Sequence, residues 1–158
     1  MNTKKIVLAL SFLPLLFCVW MAVAKSADNP GDAILGVWLT GTGKGKIKIY
    51  KDSENRYHGK LVWLRDPLNE EGKPKLDKNN PDDAKKKMPL LGLQNLRNFV
   101  YEGENKWIDG QIYDPENGSD YSCKMELIDN NTLEVRGFIG ISLFGRTDVW
   151  KRQVLKAK

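Results

Sequence analysis

A chain of 158 residues with a formal net charge of +5, 41% apolar residues and two cysteines is long enough for one domain with a proper core and too short for two. Its basic residues are interspersed with acids instead of massed on one stretch, which excludes an electrostatic case for nucleic acid. Cys18 falls in the leader described next and leaves Cys123 alone, so no intramolecular disulfide is available and stability has to come from burial.

Lys4 and Lys5 precede an apolar run from Ile6 to Val23 that closes on Ala22-Val23-Ala24, a small-x-small pattern that reads as a secretory signal peptide over 1–24. A membrane anchor competes, since about 20 apolar residues span a bilayer. Pro14 and the small residues at the end favour cleavage, after which no transmembrane anchor remains. Lipidation of Cys18 is a third reading, weakened by Phe17 where a small side chain is wanted. The remainder is expected to be periplasmic or secreted.

Residues 25–33 are small and polar and read as a flexible tail. The pattern then turns to period two. Strands are expected over Leu35 to Thr40, Gly45 to Lys51 and Arg56 to Leu64, with Gly41-Thr42-Gly43 joining the first two into a hairpin. Residues 65–88 change to Asp, Asn, Lys, Glu and Pro with little to bury. That is one long connection, of a length that in compact domains is a lid, a binding segment or a solvated loop. The β pattern resumes at Leu90 and continues as Leu96 to Glu102, Lys106 to Tyr113, Asp120 to Ile128, Thr132 to Ile139 and Arg146 to Leu155. Asp114-Pro115-Glu116-Asn117-Gly118 and Asp129-Asn130-Asn131 are turns by their chemistry. Cys123 shares an apolar face with Tyr121, Met125 and Leu127 and reads as a buried, inert thiol. A short helical turn near Asp82 to Lys87 is the one exception to an all-β chain. About eight antiparallel strands in meander order must pack as a sandwich or close on themselves, and closure removes exposed edges. A single eight-stranded antiparallel barrel over 34–158 is the expected fold. Its interior holds packed side chains or one small ligand.

Gly36-Val37-Trp38, Gly59-Lys60-Leu61-Val62-Trp63, Asn80-Pro81-Asp82, Pro89-Leu90-Leu91-Gly92, Gly110 through Gly118, and Arg136-Gly137-Phe138-Ile139-Gly140 with Gly145-Arg146 and Trp150 together resemble the bacterial DUF2147 family of exported proteins, over nearly all of the chain after the leader. The resemblance implies a lipocalin-like, calycin-type barrel in a Gram-negative envelope and no established activity. It fails before Pro89, where the family carries arginines and this chain has Lys85, Lys86, Lys87 and Met88. Lysine cannot make arginine's bidentate fork. A specific anion contact in that loop is therefore not carried over.

Gly36-x-Trp38 resembles the lipocalin opening motif, which implies that Trp38 closes the barrel bottom under an arginine of the last strand. Arg152 is the first candidate and Arg146 the second; a cation over an indole contributes about 0.5–2 kcal/mol. Trp63, Trp107 and Tyr113 sit toward strand ends beside polar turns and are candidates for lining a barrel mouth, with core filling as the other reading for each. Arg136, a charge in an apolar strand, is the candidate polar anchor, or else faces solvent. The Asp114 to Gly118 turn lacks the oxygen spacing of a calcium loop. His58, the single histidine, has no indicated nucleophile or metal partners. No catalytic residue, metal or cofactor is therefore expected. The expected partner is a small apolar or amphipathic ligand; no protein partner is indicated. The alternative is an envelope structural or interaction protein with a filled barrel and a partner surface on the 65–88 loop.

Overall fold

The computed structural model describes residues 29–154; the leader and residues 25–28 lie outside them. Eight strands, β1 (Gly36–Leu39), β2 (Gly45–Lys51), β3 (Tyr57–Leu64), β4 (Gln94–Gly103), β5 (Lys106–Asp114), β6 (Ser119–Asp129), β7 (Thr132–Phe138) and β8 (Gly145–Gln153), form a closed antiparallel barrel in sequence order. The seam pairs Val37 with Gln153, Trp38 with Arg152 and Leu39 with Lys151. Among the described residues no helix is long and apolar enough to cross a membrane.

Alternation decides which face goes in. On β2 Ile47 and Ile49 are buried between Lys46 and Lys48, and on β6 Cys123, Met125 and Leu127 are buried between Ser122, Lys124 and Glu126. The period slips at bulges that alternation alone does not reveal. Asp109 takes a positive φ of 57° where the β5–β6 register shifts between Trp107 and Gly110, so that both of those residues are buried. Gly110 has to be glycine, because a Cβ there would lie 2.3 Å from the ring carbons of Phe99. The extra residue bends the strand and tightens its twist.

One end of the barrel is closed. Trp38, Tyr57, Phe99, Trp107 and Leu133 are fully buried in one cluster, and short turns at 52–56, 104–105 and 130–131 seal that end. Tyr57 and Trp107 meet edge to face at 6.2 Å. The amino-terminal part also folds there. Pro30–Ile34 form a 3-10 turn capped by the Asn29 side chain, with Ile34 fully buried, where composition suggested a tail. The cause is a set of contacts made far along the chain: Asp32 accepts from Tyr57 at 2.9 Å and from Lys51 at 2.6 Å.

The other end is the mouth, ringed by the connections 40–44, 65–93, 115–118 and 139–144. The longest runs to Leu93, not 88, because β4 starts at Gln94. It is folded: a 3-10 turn covers Lys85–Lys87, and isolated bridges join Leu68 to Pro74 and Leu76 to Pro89.

Candidate ligand cavity and its mouth

The core does not fill the barrel. Above Trp150 the inward positions shorten, with Gly45 on β2 and Gly137 on β7, and a cavity of about 1110 Å³ opens toward the mouth. Ile47, Leu61, Ile112, Val135 and Phe138 make much of its wall. At Gly137 an added Cβ would find Ile112 at 3.4 Å and Tyr121 at 3.7 Å, ordinary contact, so this glycine leaves space that a side chain could occupy.

Polar and charged side chains share the wall with the apolar ones, Lys44, Asp66, Lys75, Asp114 and Glu116 among them. Asp148 accepts from the Trp150 indole N–H at 2.7 Å and from the Gly41 backbone N–H at 3.1 Å, which fixes the carboxylate and ties β8 to the β1–β2 turn. Arg146 lines the cavity and makes no ion pair among the described residues. Tyr121 accepts from Asn117 Nδ2 at 2.9 Å. Asn95 Oδ1 is buried in the same wall without a hydrogen-bond donor, which carries a cost unless a donor is supplied.

The 65–93 connection is latched to the rim. Asp77, only 1% exposed, accepts from the Tyr113 hydroxyl at 2.8 Å and from Asn80 Nδ2 at 2.7 Å. Burial, then the carboxylate beside it, push the Tyr113 hydroxyl up to about 12, since ionising it would put two negative charges together out of water. Asn79 Nδ2 bonds the Pro115 and Glu116 carbonyls at 3.1 and 2.9 Å, and its own carbonyl lies so close to Gly118 that no Cβ fits there.

Of the four residues expected to line a mouth, Tyr113 alone is in the cavity wall. Trp63 is corrected to the outer surface: a bulge between Lys46 and Ile47 puts it beside Lys46, whose ammonium stands 4.9 Å from the ring centroid. Trp107 is sealed in the closed end at 0% exposure, against Tyr57 and Tyr101. Arg136 lies outside the cavity wall. Its guanidinium faces away from the cavity and bonds the Ser142 carbonyl at 2.9 Å, the Leu143 carbonyl at 3.2 Å and the Thr147 hydroxyl at 2.8 Å, bracing the β7–β8 connection. Arg152 lies 4.2 Å from the Trp38 ring centroid and also donates to the Leu35 and Ala33 carbonyls at 2.7 and 2.6 Å. Asp148 and Asn95 were missed. Counting back in twos from Trp150 reaches Asp148 and Arg146 on one face; nothing local marks Asn95.

Cys123 is buried and its thiol is pushed up to about 12 by that burial. Among the described residues no group of His, Cys, Asp or Glu is placed to hold a metal ion.

An eight-stranded meander barrel, closed at one end under a tryptophan–arginine stack and hollow at the other, is a lipocalin-like fold. The chain belongs to the DUF2147 family, described as uncharacterized protein conserved in bacteria, whose family model matches residues 36–152. A solved structure, protein HP1028 from the human pathogen Helicobacter pylori, described as belonging to the lipocalin family, is similar with a TM-score of 0.67 and 18% identity over 77% of this chain and 84% of that one. At that identity the likeness concerns the fold. No curated protein matches the sequence.

Proposed function

We propose that this protein is an exported, non-catalytic binding protein of the bacterial envelope that holds a small apolar or amphipathic ligand in the upper half of its barrel. The observation that carries the reading is the cavity itself. Its size is of the order found for small-molecule sites, and its wall joins apolar side chains such as Ile47, Leu61, Ile112 and Val135 to polar and charged ones such as Lys44, Asp66, Glu116, Arg146 and Asp148. The unpartnered Asn95 Oδ1 favours a ligand with a hydrogen-bond donor on an otherwise apolar body. The non-catalytic part is supported by His58, which stands outside the cavity wall. Its Nδ1 accepts from the Asn98 N–H at 3.3 Å and from Gln94 Nε2 at 3.0 Å, so the Nε2–H donates to Asp52 at 2.8 Å. Both ring nitrogens are engaged, Nδ1 with β4 and Nε2 with the β2–β3 turn.

The test is native mass spectrometry of the protein purified gently from its own envelope, beside Gly137→Leu, which places a side chain in the cavity, and Trp63→Ala, which alters only the outer wall. A defined added mass present in the wild type and in Trp63→Ala and lost in Gly137→Leu is expected. An apo wild type under conditions that retain weak lipid ligands, or the same mass on Gly137→Leu, would overturn the reading.

A further inference from the structure

The outer wall of the barrel is charged unevenly. β1, β2 and β3 contain no acidic residue, and the single one on β8, Asp148, faces the cavity. Outward positions of β2 and β3 carry Lys46, Lys48 and Lys60, whose ammonium groups make no ion pair and no hydrogen bond among the described residues. The ladder sets Lys48 directly opposite Lys60, a like-charge pair of the kind that destabilises a sheet. The rungs on either side pair Lys46 with Trp63 and Tyr50 with His58 and bring no counter-charge. On the opposite wall the equivalent pair is compensated: Lys124 faces Arg136, and the next outward rung sets Glu126 against Glu134. Nor do the three lysines blunt a strand edge, because the barrel is closed. Carboxylates around this face are engaged or distant. Asp52 is held by His58, Glu116 by Lys44 and Asp120 by Arg97, and Asp66 belongs to the cavity wall. Glu102 lies past the last rung joining β4 to β3, and Glu134 is three strand spacings from β2, about 14 Å along the wall.

The neighbours of the lysine pair define what fits it. Across the strands the row through the pair reads Gln153, Val37, Lys48, Lys60 and Gln94, so two ammonium groups are flanked by amides. Gln94 Nε2 donates to His58, and Gln153 Nε2 to the carbonyls of Lys151 and Arg152, which leaves both amide carbonyls to accept. Ammonium groups call for anions and amide carbonyls for hydroxyl donors, and a carboxylate-bearing glycan carries both on one chain. Stacked bases find no free platform, because Lys46 stands 4.9 Å from the Trp63 centroid and Tyr50 lies against His58 at 5.6 Å. A bilayer finds nothing to take up in this row, since Val37, its apolar member, is 6% exposed. Protein interfaces are depleted in lysine, and here lysines form the centre. We infer that the outer face of β2 and β3 binds a carboxylate-bearing polysaccharide, with Lys46, Lys48 and Lys60 on its carboxylates and Gln94 and Gln153 on its hydroxyls. None of these five residues lines the cavity, so the glycan site is independent of any cavity ligand.

The test is isothermal titration with polygalacturonate and with neutral dextran. The protein used runs from Lys25 onward and contains every strand of the closed barrel. Wild type is expected to bind polygalacturonate and not dextran. Binding should weaken between roughly 10 mM and 150 mM salt, as the screening length falls from about 30 Å to about 8 Å. Lys48→Gln/Lys60→Gln should bind roughly tenfold or more weakly, through the loss of two charge-assisted contacts. It should melt no lower than wild type, because a like-charge pair has gone. Lys106→Gln/Lys124→Gln, the same change of net charge on β5 and β6, should bind like wild type. Wild type that ignores polygalacturonate, a Lys48→Gln/Lys60→Gln variant that binds undiminished or melts lower, or an equal loss in the β5–β6 variant would overturn the inference. Poly-L-glutamate, oligothymidylate or phosphatidylglycerol vesicles bound as tightly as polygalacturonate, and lost in the same variant, would overturn it in favour of an acidic protein, a nucleic acid or a bilayer.

Discussion

Replacing Arg152 should open the closed end of the barrel by a calculable amount. The guanidinium lies 4.2 Å from the Trp38 ring centroid in a half-buried site, which is worth about 1 kcal/mol. Its part-buried bond to the Leu35 carbonyl adds about 1.5 kcal/mol as a charge-assisted hydrogen bond. The bonds to Ala33 and Asn130 face solvent and are worth a few tenths of a kcal/mol each, because water replaces them. Arg152→Ala should therefore cost about 3 kcal/mol, read as a fall of roughly 10 °C in Tm or about 2 M in urea midpoint. Arg152→Lys keeps a cation over the ring but reaches one carbonyl at most, so it should lose about half as much. Urea unfolding followed by tryptophan fluorescence gives both numbers. A loss below about 1 kcal/mol for Arg152→Ala, or a lysine variant equal to wild type, would refute the assignment of the stack and its fork as the closing device.

Tyr113→Phe should leave Asp77 short of a donor in a buried site and free the foot of the 65–93 connection, so limited proteolysis within that segment should accelerate; an unchanged cleavage rate would show that the latch lies elsewhere. The same variant carries a pH signature. A hydroxyl raised from 10 to about 12 in the folded state contributes stability that is complete below pH 10 and lost as pH rises toward 12, and Tyr113→Phe should flatten that limb of the urea midpoint against pH. Asp32 behaves oppositely, since the hydrogen bond from Lys51, followed by that from Tyr57, holds its carboxyl below the usual range despite some desolvation. Its stabilisation is present above the unfolded value of about 4 and lost as pH falls below it, a limb that Asp32→Asn should remove. Cys123, with its thiol pushed up to about 12, should resist maleimide at neutral pH in the native protein and react once unfolded; labelling of native protein would place it at the surface.

Strand order and closure were legible because inward and outward residues alternate with little error, as along Ile47 to Lys51 and Ser122 to Leu127. The cavity residues were less so. Trp63 looked like an inward aromatic, yet one extra residue at the Lys46 bulge rotates it out, and Asp109 in αL turns the β5 pattern in the same way. A bulge is a single-residue event with no local signature when the residue is an ordinary Asp. Arg136 was legible as a charge out of place, but its partners are backbone carbonyls of the next connection, which carry no side-chain signal. The docked turn at Pro30–Ile34 was hidden for a third reason: Tyr57 and Arg152 hold it from 25 and 119 residues away.

The seam between β1 and β8 also has a kinetic meaning. Every other ladder joins strands that are neighbours in sequence, whereas the Arg152 bond to the Leu35 carbonyl links residues 117 apart. Contacts of such separation incur loop-closure entropy before they return any energy, so the seam should zip last, after the seven ladders between sequential strands have formed an open curved sheet. Until then that sheet has two bare edges. Weakening the seam should speed unfolding and leave the refolding rate nearly unchanged, and stopped-flow chevrons of Arg152→Ala showing slowed refolding would place closure earlier. The four residues of β1 are thus the hinge between a monomer and an aggregating sheet, which makes the shortest strand the one on which solubility during folding turns.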